Sequence, residues 1–102
     1  MSDLFDWDAS NIAHIALHGI SPAEAEDAVL GDPVDLEMQV VDGEERFPQV
    51  GATRAGRILI VITTWRGGRT RVVTAYPASP AYQRFYFGQR GAGNGRQSRS
   101  QV

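Results

Sequence analysis

Nine residues, Arg57 to Trp65 (RILIVITTW), form a nearly unbroken run of apolar and β-branched side chains, preceded by Gly56 and followed by Gly67-Gly68. A run this short, bounded by turn residues and rich in Ile, Val and Thr, is a strand. Because it is apolar at successive rather than alternate positions, it is a central strand, and we expect helices to cover one of its faces. The rest of the chain has to supply its neighbours. Arg69 to Tyr76 returns as a partner across the glycine turn. Glu44 to Thr53 precedes it as another strand, with Pro48 marking an edge or a bulge. Val34 to Val41 is a fourth strand, joined to the third by the Asp42-Gly43 turn.

Helical signals lie at the two ends. In Ala9–Leu17, Ile12, Ile15 and Ala16 follow helical spacing, Asp8 or Ser10 is placed to cap the first turn, and Gly19 stops the helix. Ser21-Pro22-Ala23-Glu24 combines an N-cap serine, a proline at the first helical position and a capping-box glutamate, which opens a second helix over about Pro22 to Leu30. Pro80 opens a short final helix through Phe87, with Phe85 and Phe87 expected against the sheet. From Gly88 the chain is glycine-rich, polar and basic, and reads as a disordered tail over residues 88–102. The expectation is therefore one α+β domain over residues 1–87: two N-terminal helices packed on a mainly antiparallel four-stranded sheet, with a short C-terminal helix. A chain of 102 residues that is 42% hydrophobic suits one core.

Charge divides the chain sharply. Residues 1–50 hold all twelve acids and one base, Arg46, for a net of −11; residues 51–102 hold nine arginines and no acid, for +9. One consequence is neutralisation between the halves across a shared core. Another is a basic surface suited to a polyanion, since guanidinium forks match phosphate oxygens. Without cysteine there is no disulfide, no thiolate metal site and no thiol nucleophile. No apolar run is long enough to span a membrane and the acidic start lacks signal-peptide character, so the expected location is the cytoplasm.

His14 and His18 share a helix face at metal-binding spacing, but a third ligand is missing from the pattern and they read as a polar strip with Asn11. No nucleophile elbow or phosphate-cradling loop is present. What remains is an array of arginines and aromatic hydroxyls. By strict alternation Arg69, Arg71, Val73 and Ala75 share one strand face, and Thr70, Val72, Thr74 and Tyr76 the other. Arg57 starts the central strand, and Arg46 lies in the strand expected to pair with it. Convergent arginines suit an RNA phosphate under attack by its neighbouring 2′-hydroxyl, with Tyr76, Tyr82, Tyr86 or Glu45 left to move protons or stack on a base.

FDWD at residues 5–8, the Asn11–Ala25 block (N-x-x-H-I-x-x-H-G-I-S-x-x-E-A), EERF at 44–47 and the later R-x-L-x-V and R-V-V-T-A strands resemble, in that order, the BrnT-type toxins of bacterial toxin–antitoxin pairs. The resemblance spans roughly residues 5–87. It implies a RelE-like fold, a metal-independent endoribonuclease that blocks translation, no cofactor, RNA as substrate and a BrnA-like antitoxin as partner. It carries Arg46, Arg57, Arg71, Arg84 and Tyr86 over as site residues. Tyr76 stands where that family has an arginine, no glutamate precedes Arg84, and Leu17 replaces a lysine. These departures leave a second reading beside the enzyme: a domain of the same fold that binds RNA or protein without cleaving. With Tyr76 completing the set, the expected catalytic residues are Arg46, Arg57, Arg71, Tyr76, Arg84 and Tyr86.

Overall fold

In the computed structural model, which describes residues 3–95, the chain runs α1 (Ala9–Ala16), α2 (Pro22–Leu30), β1 (Val34–Asp35), β2 (Gln39–Val41), β3 (Glu44–Ala52), β4 (Ile58–Arg66), β5 (Arg69–Pro77) and α3 (Pro80–Gly95). All strand pairings within the sheet are antiparallel, in the order β1-β3-β4-β5, with β2 also on β3. The fold is α+β, as the residue patterns indicate, with five strands instead of four. The expected strand Val34–Val41 is split because Pro48 sits opposite its middle. The Leu36 N–H reaches the Pro48 carbonyl at 2.9 Å, but proline has no N–H to return the bond, and pairing lapses until Gln39.

Helices α1 and α2 each have their cap in the nearest polar side chain. Asp8, not Ser10, caps α1: its carboxylate accepts the Ser10 and Asn11 N–H groups at 3.0 and 3.1 Å, and the Asn11 side chain accepts the Asp8 N–H in return. The helix is left through Gly19 at φ +74°, with the Ile20 N–H reaching back to the Ile15 carbonyl. Ser21 and Glu24 form the reciprocal box at α2, with Pro22 in the first turn. Of the three hairpin turns, the two-residue ones, Asp42-Gly43 and Gly67-Gly68, have positive φ at both residues, the geometry that matches strand twist.

The central run of β4 is apolar at every position because both of its faces are covered, a correction to the single-sided cover expected. Leu59 and Val61 pack with Phe5, Ile15, Ile20, Ala25, Ala28, Val72 and Ala75 beneath α1 and α2. Ile58 and Ile60 pack with Val50, Ala78 and Tyr86 beneath α3. Phe85 and Phe87, expected in the core, are exposed, and Tyr86 between them is buried. The final helix also runs to Gly95 rather than ending at Phe87. Each glycine there costs up to ~1 kcal/mol relative to alanine, and the extension is held by Arg90, which bonds Asp32 and lies over the Tyr86 ring. The remainder of the expected tail, residues 96–102, lies outside the described residues.

A β-bulge interrupts β5. Ile62 pairs with Thr74 and Thr63 with Val72, leaving Val73 as the extra residue. Val72 and Ala75, which strict alternation would separate, therefore both enter the first core cluster, and Arg71 and Ala75 do not share a face. Beyond β5, the N-terminal segment covers the edge at Thr70: the Asp6 N–H bonds the Thr70 carbonyl and the Thr70 N–H bonds the Leu4 carbonyl.

Helix α2 approaches β3 so closely at Gly51 that a Cβ there would lie 2.5 Å from the Ala28 carbonyl oxygen. Gly51→Ala is expected to destabilise the fold by about 1–3 kcal/mol, through overpacking against backbone. A urea denaturation series should show a lower midpoint at unchanged slope; an unchanged midpoint would mean that α2 does not seat there.

Candidate functional site

Counting outward from the Gly67-Gly68 turn places Arg66 against Arg69 and Thr64 against Arg71. Phe47 faces Thr63 across the other side of β4, so Arg46, one residue nearer the turn, comes alongside Thr64. Arg46, Arg66 and Arg71 thus converge at the turn end of the sheet. With Ser10, Asn11 and His14 of α1, and with Glu44, Thr64 and Val73, they line an open groove of about 220 Å³.

Arg71 is the anchor of this wall. It is 8% exposed and gives a bidentate fork to Asp8, Nη1 to Oδ2 at 3.0 Å and Nη2 to Oδ1 at 3.2 Å, while Nη1 also approaches Asp6 at 3.5 Å. The Arg71 fork and then the backbone N–H of Asn11 hold the Asp8 carboxyl below its ordinary pKa, and the same pairing raises that of Arg71. Buried Asn11 fixes the adjoining chain: its amide donates to the Asp6 carbonyl at 3.0 Å and to the Val72 carbonyl at the bulge at 3.1 Å. Arg46 binds Glu44 through Nε at 3.0 Å. Arg66 makes no ion pair with a described residue.

The other expected residues lie elsewhere. Arg57 stands at the opposite end of β4, roughly 20 Å of extended strand from Thr64. It bonds the Gly19 carbonyl and Glu24 at 3.0 Å each, tying the α1–α2 turn to the sheet. The Ser21 backbone N–H, then Arg57, keep Glu24 below its ordinary pKa. Tyr76, opposite Ile60, is part of a second groove with Tyr82, and its ring meets His18 edge-on at 6.0 Å. Arg84 is exposed on α3 with no ion pair to a described residue, and Tyr86 is 5% exposed within the core. The structure therefore brings Arg46 and Arg71 together and leaves Arg57, Tyr76, Arg84 and Tyr86 outside their groove.

His14, expected only in a polar strip, lines the groove together with Arg66 and Glu44, none of which is among the expected site residues. The signal for Arg66 was available in the turn register. For His14 it was only the contact between α1 and β5, which no local pattern encodes. The His14 ring lies 6.0 Å from that of His18, centre to centre. Among the described residues no three His, Asp or Glu side chains are grouped to hold a metal ion, and no helix is long and apolar enough to cross a membrane.

A depressed carboxyl pKa in the folded state means that Asp8 contributes stability fully above its unfolded value of about 3.9, and that this is lost as pH falls through the folded value. The difference in melting temperature between the wild type and Asp8→Asn, which keeps a capping oxygen but not the charge, is expected to be widest near neutrality. It should close as pH drops below the ordinary carboxylate range. A difference that stays constant with pH would remove the Arg71 pair from the stability of the fold.

No individually curated protein matches the chain. The sequence profile described as "Ribonuclease toxin, BrnT, of type II toxin-antitoxin system" matches residues 7–81, a span that takes in α1, α2, all five strands and every side chain lining the arginine groove. The chain belongs to the BrnT family of type II ribonuclease toxins.

Proposed function

We propose that this protein is a toxin that cleaves RNA at the turn-end groove without a metal ion, arrests translation and is neutralised by an antitoxin partner of the BrnA kind. The observation that carries the reading is the convergence of Arg46, Arg66 and Arg71 with His14 on one groove in a chain of this family. Three guanidinium groups suit a phosphodiester and the charge that grows on it during reaction. Arg71 is fixed by Asp8 and stiffens the wall. Arg46 gives only Nε to Glu44, so its terminal nitrogens can meet phosphate, as can Arg66, which pairs with no described carboxylate.

Arginine supplies electrostatics and not proton transfer, and His14 is the side chain on this wall best suited to move a proton. In the step we assign, His14 takes the proton of a ribose 2′-hydroxyl. The 2′-oxygen bonds to the adjacent phosphorus, and the bond from phosphorus to the 5′-oxygen breaks. The departing oxygen takes a proton from solvent, to which the groove is open. The products are a 2′,3′-cyclic phosphate and a 5′-hydroxyl end. Arg57, Tyr76, Arg84 and Tyr86 take no part in this step.

A second reading rests on the ion pairs themselves: Arg46, Arg57 and Arg71 each already hold a carboxylate, as in a domain that binds RNA or protein without cleaving.

The purified chain should cleave single-stranded RNA in the presence of a chelator, and its induction should arrest growth unless the partner is co-expressed. His14→Gln is expected to slow cleavage by about 10²–10⁴-fold with an unchanged melting temperature. Arg66→Ala should weaken RNA binding and flatten its salt dependence by about one charge. Cleavage by His14→Gln at the wild-type rate would sink the assignment of the base. RNA binding with no cleavage by the wild type would establish the second reading.

A further inference from the structure

The strongest feature that this reading leaves unexplained is aromatic. Trp65 is 67% exposed and Phe47 39% exposed, on neighbouring strands at the turn end. Both line an open recess of about 490 Å³ with Gly43, Glu44, Glu45 and Thr64. Two of those residues, Glu44 and Thr64, also line the arginine groove, so the recess and the groove adjoin.

Register explains how the two rings come to share the recess. Phe47 pairs with Thr63, and Trp65 lies two residues further along β4, hence on the same strand face and diagonal to Phe47. Such diagonal positions are roughly 7–8 Å apart, and no ring-to-ring contact joins the two. Neither ring is needed by the core, since both core clusters are made without them. The charge pattern changes at the boundary: arginines line the groove, while the recess contains Glu44 and Glu45 and no cation. A phosphate is repelled from the recess, and a flat, uncharged ring with amino hydrogens to donate suits it.

We propose that Trp65 and Phe47 form a stacking subsite for the nucleobase next to the phosphate held in the arginine groove, with Glu44 or Glu45 accepting from the exocyclic amino group of that base. The proposal rests on the groove being an RNA site. It favours single-stranded RNA as substrate, because a base within a duplex must first be unpaired and unstacked before it can reach the ring. It also gives the site a preference for adenine, cytosine or guanine over uracil at that position, through the carboxylate acceptors.

The test is binding of a short single-stranded RNA, made uncleavable by 2′-deoxy substitution at the cut position, to the full chain and its variants. Loss of one stacked base costs about 1–3 kcal/mol, so Trp65→Ala should weaken binding roughly 5- to 100-fold and Trp65→Phe far less. An oligonucleotide abasic at the neighbouring position should lose the same factor on the wild type and almost none further on Trp65→Ala. Melting temperatures of the variants separate these effects from unfolding. If Trp65→Ala binds and cleaves RNA as the wild type does, the subsite is wrong while the ribonuclease reading stands. If that variant instead loses only its complex with the antitoxin, the recess is a protein-docking surface and the proposal is overturned. A wild-type chain that neither binds nor cleaves RNA overturns both.

Discussion

The bidentate pair between Asp8 and Arg71 is the joint on which the architecture turns. Asp8 also caps α1, so one carboxylate fixes where the first helix begins and which strand it rests on. Asn11 completes the joint from one turn further along by bonding the carbonyl that the β5 bulge presents. Without the bulge, Val72 and Ala75 would lie on opposite faces and one of them would leave the apolar cluster beneath α1 and α2. The cap, the fork and the bulge thus solve a single geometric problem, the seating of a short helix on a twisted sheet edge. Arg71 comes out of that solution as a rigid cation beside the groove.

The charge division of the chain is expressed in its ion pairs. Five arginines of the second half pair with carboxylates of the first: Arg54 with Asp27, Arg57 with Glu24, Arg69 with Asp6, Arg71 with Asp6 and Asp8, and Arg90 with Asp32. These fasten the helical half to the sheet half, and where the partners are exposed each contributes little by itself. Arg66 and Arg84 are left over among the described residues of that half. Neutralisation therefore takes up five of the seven described arginines of that half, and Arg71 does so while also lining the groove.

Local rules carried much of this structure. The starts of α1 and α2, the two-residue hairpin turns, the central strand and the antiparallel order of β3, β4 and β5 are written in short stretches of residues, and so is the family likeness. What could not be read locally depended on a partner far along the chain. Val34–Val41 looks like one strand until Pro48 is placed opposite it. The alternation of β5 looks regular until Val73 is found to be extra. Gly88 to Gly95 looks unstructured until Arg90 finds Asp32. The candidate site divides in the same manner. Arg46 and Arg71 were visible as strand arginines, but Arg57 joined them only by residue type, and pairing register places it at the other end of β4. His14 belongs to the groove solely because α1 lies against β5.

The closing of the N-terminal segment over β5 has a consequence for the newborn chain. The contacts that seat α1, from Phe5, Asp6 and Asp8 to Arg69, Thr70 and Arg71, each span more than sixty residues. Helices of eight and nine residues do not persist alone in water. During synthesis the acidic half therefore emerges without its counter-charges and without a sheet to lie on. The groove has no second wall until β5 has left the ribosome. A chain cut short before Arg71 can seat α2 on β3 and β4 but lacks the strand on which α1 rests, so the arginine groove is completed only once β5 has been made.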